Sequence, residues 1–412
     1  MSDDYIPRLV DTVLPRIIET LPAVSIVGPR ATGKTTSAAT FAASVTHLDR
    51  RADAAAFVAD PDAALARLPR PALLDEWQQV PDTLSAVKRA VDSDAAPGQF
   101  LLTGSVRIGK SHTWPATGRI VRQAIHGLTQ REIVKYDGPL FVERVRQDVI
   151  SLLDTPKSPL TLFDYLELAH VGGFPDLVVR NRPPDARARW LEAYLLELRT
   201  NDVKLVGGDP DPGKFANFIE AVALNSSRIV EQVTLRETVG ISKNTAAAYE
   251  DLLEAVFFSE RVPAWRTDRL DRLAALPKRY LLDTALLMHV MGVGADDAAR
   301  DPAVLGAVLD TFVAAQLRPE LAVLAPAPTL HHLRDKGGRH EVDIVLQFPR
   351  RRVVGIEVKA TASPARDDAR HLAWLAAQLG DDFVGGVVLH TGPTAFALSD
   401  KIVAAPISSL WT

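Results

Sequence analysis

Cysteine is absent from the whole chain, which removes disulfides, thiolate zinc sites and cysteine nucleophiles together. Any metal must therefore sit on oxygen or imidazole. Long apolar runs are missing too, since none approaches the roughly eighteen residues that a membrane-spanning helix needs. The start, Met1-Ser2-Asp3-Asp4, is acidic and polar with no cleavable signal pattern, so a cytoplasmic protein without membrane association is expected. Neither sign of charge dominates. A net charge of −4 argues against a surface coated in basic residues but leaves room for one basic groove on one face. No internal repeat or low-complexity tract stands out. What remains is a globular composition, 47% apolar and 24% charged, in 412 residues. That is enough for about two to four domains, each with its own core.

The stretch Gly28-Pro29-Arg30-Ala31-Thr32-Gly33-Lys34-Thr35-Thr36 organises the first half of the chain. An apolar run at residues 23–27 before it suits a buried strand, and a Thr/Ala-rich run at 35–44 after it suits a helix. In a G-x-x-x-x-G-K-T loop the glycines let backbone N–H groups wrap nucleotide phosphates, with the positive end of the following helix pointing at them. Lys34 would bridge the β- and γ-phosphates of ATP, and Thr35 would place its hydroxyl on Mg²⁺. Downstream, residues 71–77 form an apolar strand ending in two acids. There Asp75 would hold Mg²⁺, directly or through water, and Glu76 would orient and deprotonate the attacking water. Residues 80–94 read as a crossover helix and 100–105 as another strand, whose polar end puts Thr103 or Ser105 near the γ-phosphate, with Ser105 favoured.

These segments, with Gly118-Arg119, Gly172-Gly173-Phe174-Pro175, the stretch 280–284 and the closing run 405–411, resemble an AAA-type family of bacterial and archaeal P-loop ATPases. In that family an AAA-like core precedes a conserved C-terminal (DUF4143-like) domain. The resemblance covers nearly all of the chain. It implies an ATP-binding, ATP-hydrolysing core over residues 1–160, completed by an arginine that neutralises charge on the γ-phosphate: Arg119, Arg122 or Arg107. An arginine supplied in trans would imply a homo-oligomer, and one supplied in cis fits a monomer.

Residues 161–206 turn helical and read as a lid over the nucleotide, and 207–213 as a linker. Within 207–299, helices at 215–224 and 235–239, a turn at Gly240-Ile241-Ser242, a helix at 243–255 and a strand at 257–263 follow a winged-helix order. Ser242, Lys243, Asn244 and Thr245 would then face DNA, although Glu250, Asp251 and Glu254 at the far end of the helix repel phosphates.

Over residues 300–412 a helix at 305–317 and strands at 329–334, 341–346 and 353–359 are expected. Side chains alternate along a strand, so Glu357 and Lys359 share a face, and Asp343 on the neighbouring strand can join them. An Asp followed at some distance by Glu-x-Lys on an apolar strand resembles the PD-(D/E)xK nucleases. That resemblance implies Asp343 and Glu357, with the Val358 carbonyl, as ligands of Mg²⁺ or Mn²⁺, and Lys359 as the group that positions the attacking water or stabilises the pentacovalent charge. It also implies a further acid on the preceding helix, where Asp310 stands in place of the usual Glu and Glu320 is a substitute. Arg334, Lys336, Arg339 and Arg350 to Arg352 cluster at hairpin ends, placed to track a phosphate backbone. His331, His332 and His340 lack zinc spacing.

The expected architecture is thus multidomain α/β: a parallel-sheet P-loop core, a helical lid, a winged-helix module and a nuclease-like C-terminal domain. The leading functional reading is an ATPase that binds DNA and cleaves it under nucleotide control. The alternative is an ATP-switched nucleic-acid-binding regulator of the toxin–antitoxin or defence type that does not cut. A third reading makes the C-terminal domain a protein-docking platform.

Overall fold

Strand β1 (Ala23–Val27) sends alternate side chains to opposite faces: Ala23 packs with Ala72, Leu74, Phe100 and Leu102, while Val24 and Ile26 pack with Leu73 and Leu101. Burial on both faces explains why this strand and its neighbours read as continuous apolar runs. The computed structural model describes residues 5–106, 118–266, 275–335 and 337–412. Arg107 and Lys336 lie outside the described residues.

With β2 (Ser44–His47), β3 (Ala72–Asp75), β4 (Phe100–Gly104) and β5 (Ile120–Ala124), strand β1 builds a five-stranded parallel sheet in the order β2-β3-β4-β1-β5. Parallel pairing requires crossovers. The helix Asp82–Ser93 supplies the one between β3 and β4, burying Leu84, Val87 and Val91 along one stripe. Strand β5 was not among the strands expected from the sequence. The Ala-rich region after β2 divides into the helices Arg51–Ala59 and Pro61–Ala66, because Pro61 cannot continue a helix and Asp60 caps the second one on Ala63 N.

This sheet belongs to a unit made of Met1–Leu128, Phe174–Pro212 and Ala248–Phe258. The second unit comprises Thr129–Gly173, Gly213–Ala247 and Ser259–Thr412. It contains a two-stranded ribbon, β6 (Ser259–Val262) with β7 (Lys278–Leu281). It also contains a six-stranded sheet of β8 (Thr329–Arg334), β9 (Glu341–Gln347), β10 (Val353–Lys359), β11 (Phe383–His390), β12 (Phe396–Ser399) and β13 (Ile402–Pro406), in the order β12-β13-β11-β10-β9-β8. The helix Arg370–Leu379 buries Leu372 and Leu375 against this sheet together with Val342, Val345 and Val353. The middle of the chain forms the helices Pro212–Leu224, Gln232–Val239 and Lys243–Ala255, with Gly240 closing the second in the left-handed conformation that favours glycine. Among the described residues no helix is long and apolar enough to cross a membrane.

After β1 the chain passes so close to β5 that a Cβ on Gly28 would lie 2.0 Å from the Ile125 carbonyl oxygen. Gly28→Ala is therefore expected to lower the unfolding free energy by about 1–3 kcal/mol in urea denaturation. An unchanged midpoint would contradict the close approach.

Candidate functional site

The loop after β1 turns into the helix Lys34–Ala39 through Gly33, whose φ of 88° places it in the left-handed region. The Lys34 side chain is buried and donates to the carbonyls of Gly28 (3.2 Å) and Pro29 (2.7 Å), so the ammonium lies folded into the loop that would cradle phosphate. Burial pulls its pKa down to about 8, with the charges of Glu76 and Asp75 opposing the fall.

Because the sheet is parallel, the C-terminal ends of β3 and β4 lie at the same edge as this loop. Asp75 closes β3, and its carboxylate collects three partners. Thr35 Oγ1 donates to Oδ1 at 2.7 Å, Thr103 from the end of β4 donates to the same oxygen, and His47 Nδ1 lies 2.9 Å from Oδ2. Thr35 and Asp75 form an all-oxygen donor set that fits Mg²⁺. Among the described residues, the only three His or acidic ligand atoms lying within 4.8 Å of one another belong to His47, Asp49 and Asp75.

Glu76 follows with φ 53° and ψ 45°, a left-handed conformation that costs a non-glycine residue about 1–2 kcal/mol. Gln78 Nε2 donates to its carboxylate, and Ser105 Oγ donates to it at 3.3 Å. Ser105 thus holds the candidate base. Both Lys34 and Glu76 line a cavity of about 530 Å³, together with Tyr5, Arg8, Thr35, Pro175 and Arg180.

The remaining loop residues divide by role. Thr32 Oγ1 donates to the Pro29 carbonyl at 2.8 Å, and Ala31 adopts a positive φ of 60°. Arg30 turns to Glu197 (2.6 Å) and Asp202 (3.2 Å), the latter on the π-helical turn Leu198–Asp202. Burial raises the Asp202 carboxyl to about 6 even though Arg30 pulls it down.

Arg119 is not at this edge. It precedes β5, whose first residue Ile120 pairs with Ala23, so it sits at the opposite end of the sheet from the loop and pairs with Asp92 at 2.7 Å. Arg122 pairs with Ser25 in mid-strand. The cationic side chains beside Lys34 in the cavity wall are instead Arg8 and Arg180, which local reading did not single out. Arg8 donates to the carbonyls of Thr32 and His126, each at 2.7 Å. Its lone arginine among apolar neighbours offers no local pattern to find.

In the second unit the expected acids do converge. Strands β9 and β10 are antiparallel with Ile344 opposite Ile356, which sets Asp343 across from Glu357. Asp343 Oδ2 accepts from Val358 N at 3.1 Å, and Lys359 Nζ donates to Glu357 Oε2 at 2.9 Å. Asp310, on the helix Pro302–Val323, reaches the same place despite its short side chain. Between Asp310 and Asp343 lies Lys278 Nζ, 3.2 Å from one and 3.1 Å from the other. Burial opposes that ammonium, but Tyr280, Asp343 and Asp310 keep its pKa well above that of free lysine. Burial and the charge of Asp343 push the Glu357 carboxyl well up, whereas Lys278 and Lys359 outweigh burial and hold Asp343 low.

Glu320 is elsewhere. It accepts from Phe141 N (3.2 Å) and Val142 N (2.9 Å), capping the helix Phe141–Gln147, so it is not a substitute ligand. His331 and His332 spend their Nε2 atoms on Thr329 Oγ1 and the Leu276 carbonyl, and His340 stacks on Trp374. Ser242 caps the helix Lys243–Ala255 through Thr245 N at 3.1 Å, with Lys243 and Asn244 exposed beside it. Arg339 is exposed in the β8–β9 turn.

The glycine loop after a buried strand, a buried lysine, and a threonine bonded to the aspartate that ends β3 define the first site as that of a P-loop nucleotide-binding domain. A family model agrees with this over part of the chain. Residues 21–134 match the model of an AAA domain, and residues 162–297 and 305–410 match two domains of unknown function, DUF8612 and DUF4143. Uncharacterized proteins of Mycobacterium tuberculosis and Mycobacterium bovis are each 26% identical over 402 residues, covering 97% of this chain and 83% of the relative. A Walker-type ATPase of Pyrococcus abyssi superposes with a TM-score of 0.41 at 12% identity, over 70% of this chain and 97% of that one.

The depressed pKa of Lys34 has a measurable consequence. Phosphate needs the ammonium, so above pH 8 binding must take up a proton that the free protein has lost. The dissociation constant for ATP should be flat below pH 8 and rise by up to about tenfold per unit above it. Isothermal titration from pH 7 to 9.5 reads this, and a flat profile would remove the argument.

Proposed function

We propose that the chain is an ATP hydrolase whose nucleotide state governs contact with DNA, and that it does not itself cut the DNA. The observation that carries the catalytic half is the shared carboxylate edge, where Thr35 bonds Asp75 and Ser105 bonds Glu76, with Lys34, Thr35 and Glu76 lining one cavity. Thr35 and Asp75, the latter directly or through water, would hold Mg²⁺, which would supply charge neutralisation for the phosphate chain. Lys34 leaves the carbonyls of Gly28 and Pro29 for phosphate oxygens. His47 and Thr103 fix the Asp75 carboxylate, and Glu76, aimed by Gln78 and Ser105, takes the proton of the attacking water.

The DNA half is supported by the exposed Lys243 and Asn244 at the start of their helix and by the exposed arginines at the β8–β9 and β9–β10 turns, including Arg339. A second reading, in which the C-terminal sheet also cleaves DNA with Mg²⁺ or Mn²⁺, is favoured by the meeting of Asp310, Asp343, Glu357 and Lys359. Incubation of labelled single- and double-stranded DNA with either ion, with and without ATP, separates the two: the first reading expects intact DNA, the second a product lost in Asp343→Ala.

Glu76→Gln is expected to lower kcat for ATP by about 100-fold or more while ATP affinity stays within about threefold. Equal loss of both would assign Glu76 to binding. For DNA, Lys243→Ala and Arg339→Ala should each reduce the slope of log affinity against log salt by about 1. Duplex binding without salt dependence would rule out the phosphate contacts.

A further inference from the structure

Lys278 is the first residue of β7 and is 1% exposed. Its strand position opposite Val262 directs a long, charged side chain into the interior, where a lysine is tolerated only with partners. Those partners are Asp310 Oδ2 and Asp343 Oδ1, contributed by a helix and a strand far apart in the chain. Both are acids that the nuclease resemblance would assign to a metal.

A divalent cation would bind these oxygens at about 2.0–2.6 Å. The ammonium nitrogen already stands 3.2 and 3.1 Å from the same two atoms, on the side they share, so an ion entering there meets a fixed positive charge at contact distance. Charge balance points the same way. The Lys278 and Lys359 ammoniums set two positive charges against the three carboxyl groups of Asp310, Asp343 and Glu357, leaving no more than one negative charge for a divalent ion. The acids have also not closed around an ion-sized space: Asp310, Asp343 and Glu357 do not bring three ligand atoms within 4.8 Å of one another.

We propose that the Lys278 ammonium is a resident cation standing in the place of a metal between Asp310 and Asp343, so that the C-terminal sheet carries a metal-free ion cluster. The cluster then ties β7, the helix Pro302–Val323 and β9 together by fixed charge, and Lys278 is its positioning residue. This inference is independent of ATP hydrolysis and bears only on the cleavage reading, which would require Lys278 to withdraw.

Free Mn²⁺, followed by electron paramagnetic resonance in nucleotide-free protein, tests it with four proteins: wild type, Asp343→Asn, Lys278→Met and the double variant. Ions on the Thr35–Asp75 side are common to all four and cancel. The proposal expects wild type and Asp343→Asn to bind Mn²⁺ alike. Lys278→Met should gain about one further ion per chain, which the double variant loses, and Mn²⁺ should raise the melting temperature of Lys278→Met by more than that of wild type. A wild-type ion that vanishes in Asp343→Asn overturns the proposal. So does a folded Lys278→Met, checked by circular dichroism, that gains no ion. Should Lys278→Met fail to fold, the comparison of wild type with Asp343→Asn still decides. ATP turnover of the same proteins, expected to be unchanged in Asp343→Asn, keeps failure here distinct from failure of the ATPase assignment.

Discussion

The carboxylate of Asp75 joins the nucleotide loop, the end of β2 and the end of β4 at one edge of the parallel sheet. It does so because β4 lies between β1 and β3, so the strand carrying the acid and the strand feeding the loop are held at a fixed separation by a third. That spacer strand is not passive. Its polar end, Thr103 and Ser105, fills the gap and hands hydrogen bonds to Asp75 and Glu76 in turn. The two acids are adjacent in sequence but take separate sets of partners, which suits one to hold a cation and the other to move a proton.

Both units solve the same electrostatic problem, several acids gathered away from water, in different ways. At the edge of the parallel sheet, neutral donors and an imidazole surround Asp75, and the cationic Lys34 is withdrawn onto carbonyls, leaving room for a charged ligand. In the C-terminal sheet a lysine is pressed between the acids themselves. Removing one partner from such a buried set leaves an uncompensated charge and costs about 3–5 kcal/mol. The first arrangement is open to exchange with a ligand, and the second is closed by the protein's own charge.

Much of this was legible from local pattern. The loop, Lys34, Thr35, Asp75 and Glu76 stand out because strand, turn and helix follow within a few residues, and Asp343, Glu357 and Lys359 because alternation on a strand fixes which side chains share a face. What escaped depends on pairing between distant segments. Arg119 reads as a finger until the register of β5 against β1 shows that it lies at the far end of the sheet. Glu320 is spaced like a ligand and is a helix cap, because the helix Phe141–Gln147 starts on it. Lys278 stands at the start of β7, and no local feature announces which acids will surround it. Arg8, His47, Gln78 and the Glu197–Asp202 pair were missed for the same reason.

The wall of the nucleotide cavity has a consequence for how the chain can be divided. Pro175, Asp176, Val179 and Arg180 line it, and Glu197 and Asp202 hold Arg30, yet all six follow residue 134, where the AAA domain match ends. A fragment cut at that point would keep every residue of the phosphate-loop signature and lose one side of the space those residues enclose. Arg30 would lose both of its carboxylate partners. The signature can be excised as a contiguous piece of sequence; the receptacle is composite, completed by chain that returns only after an excursion into the other unit.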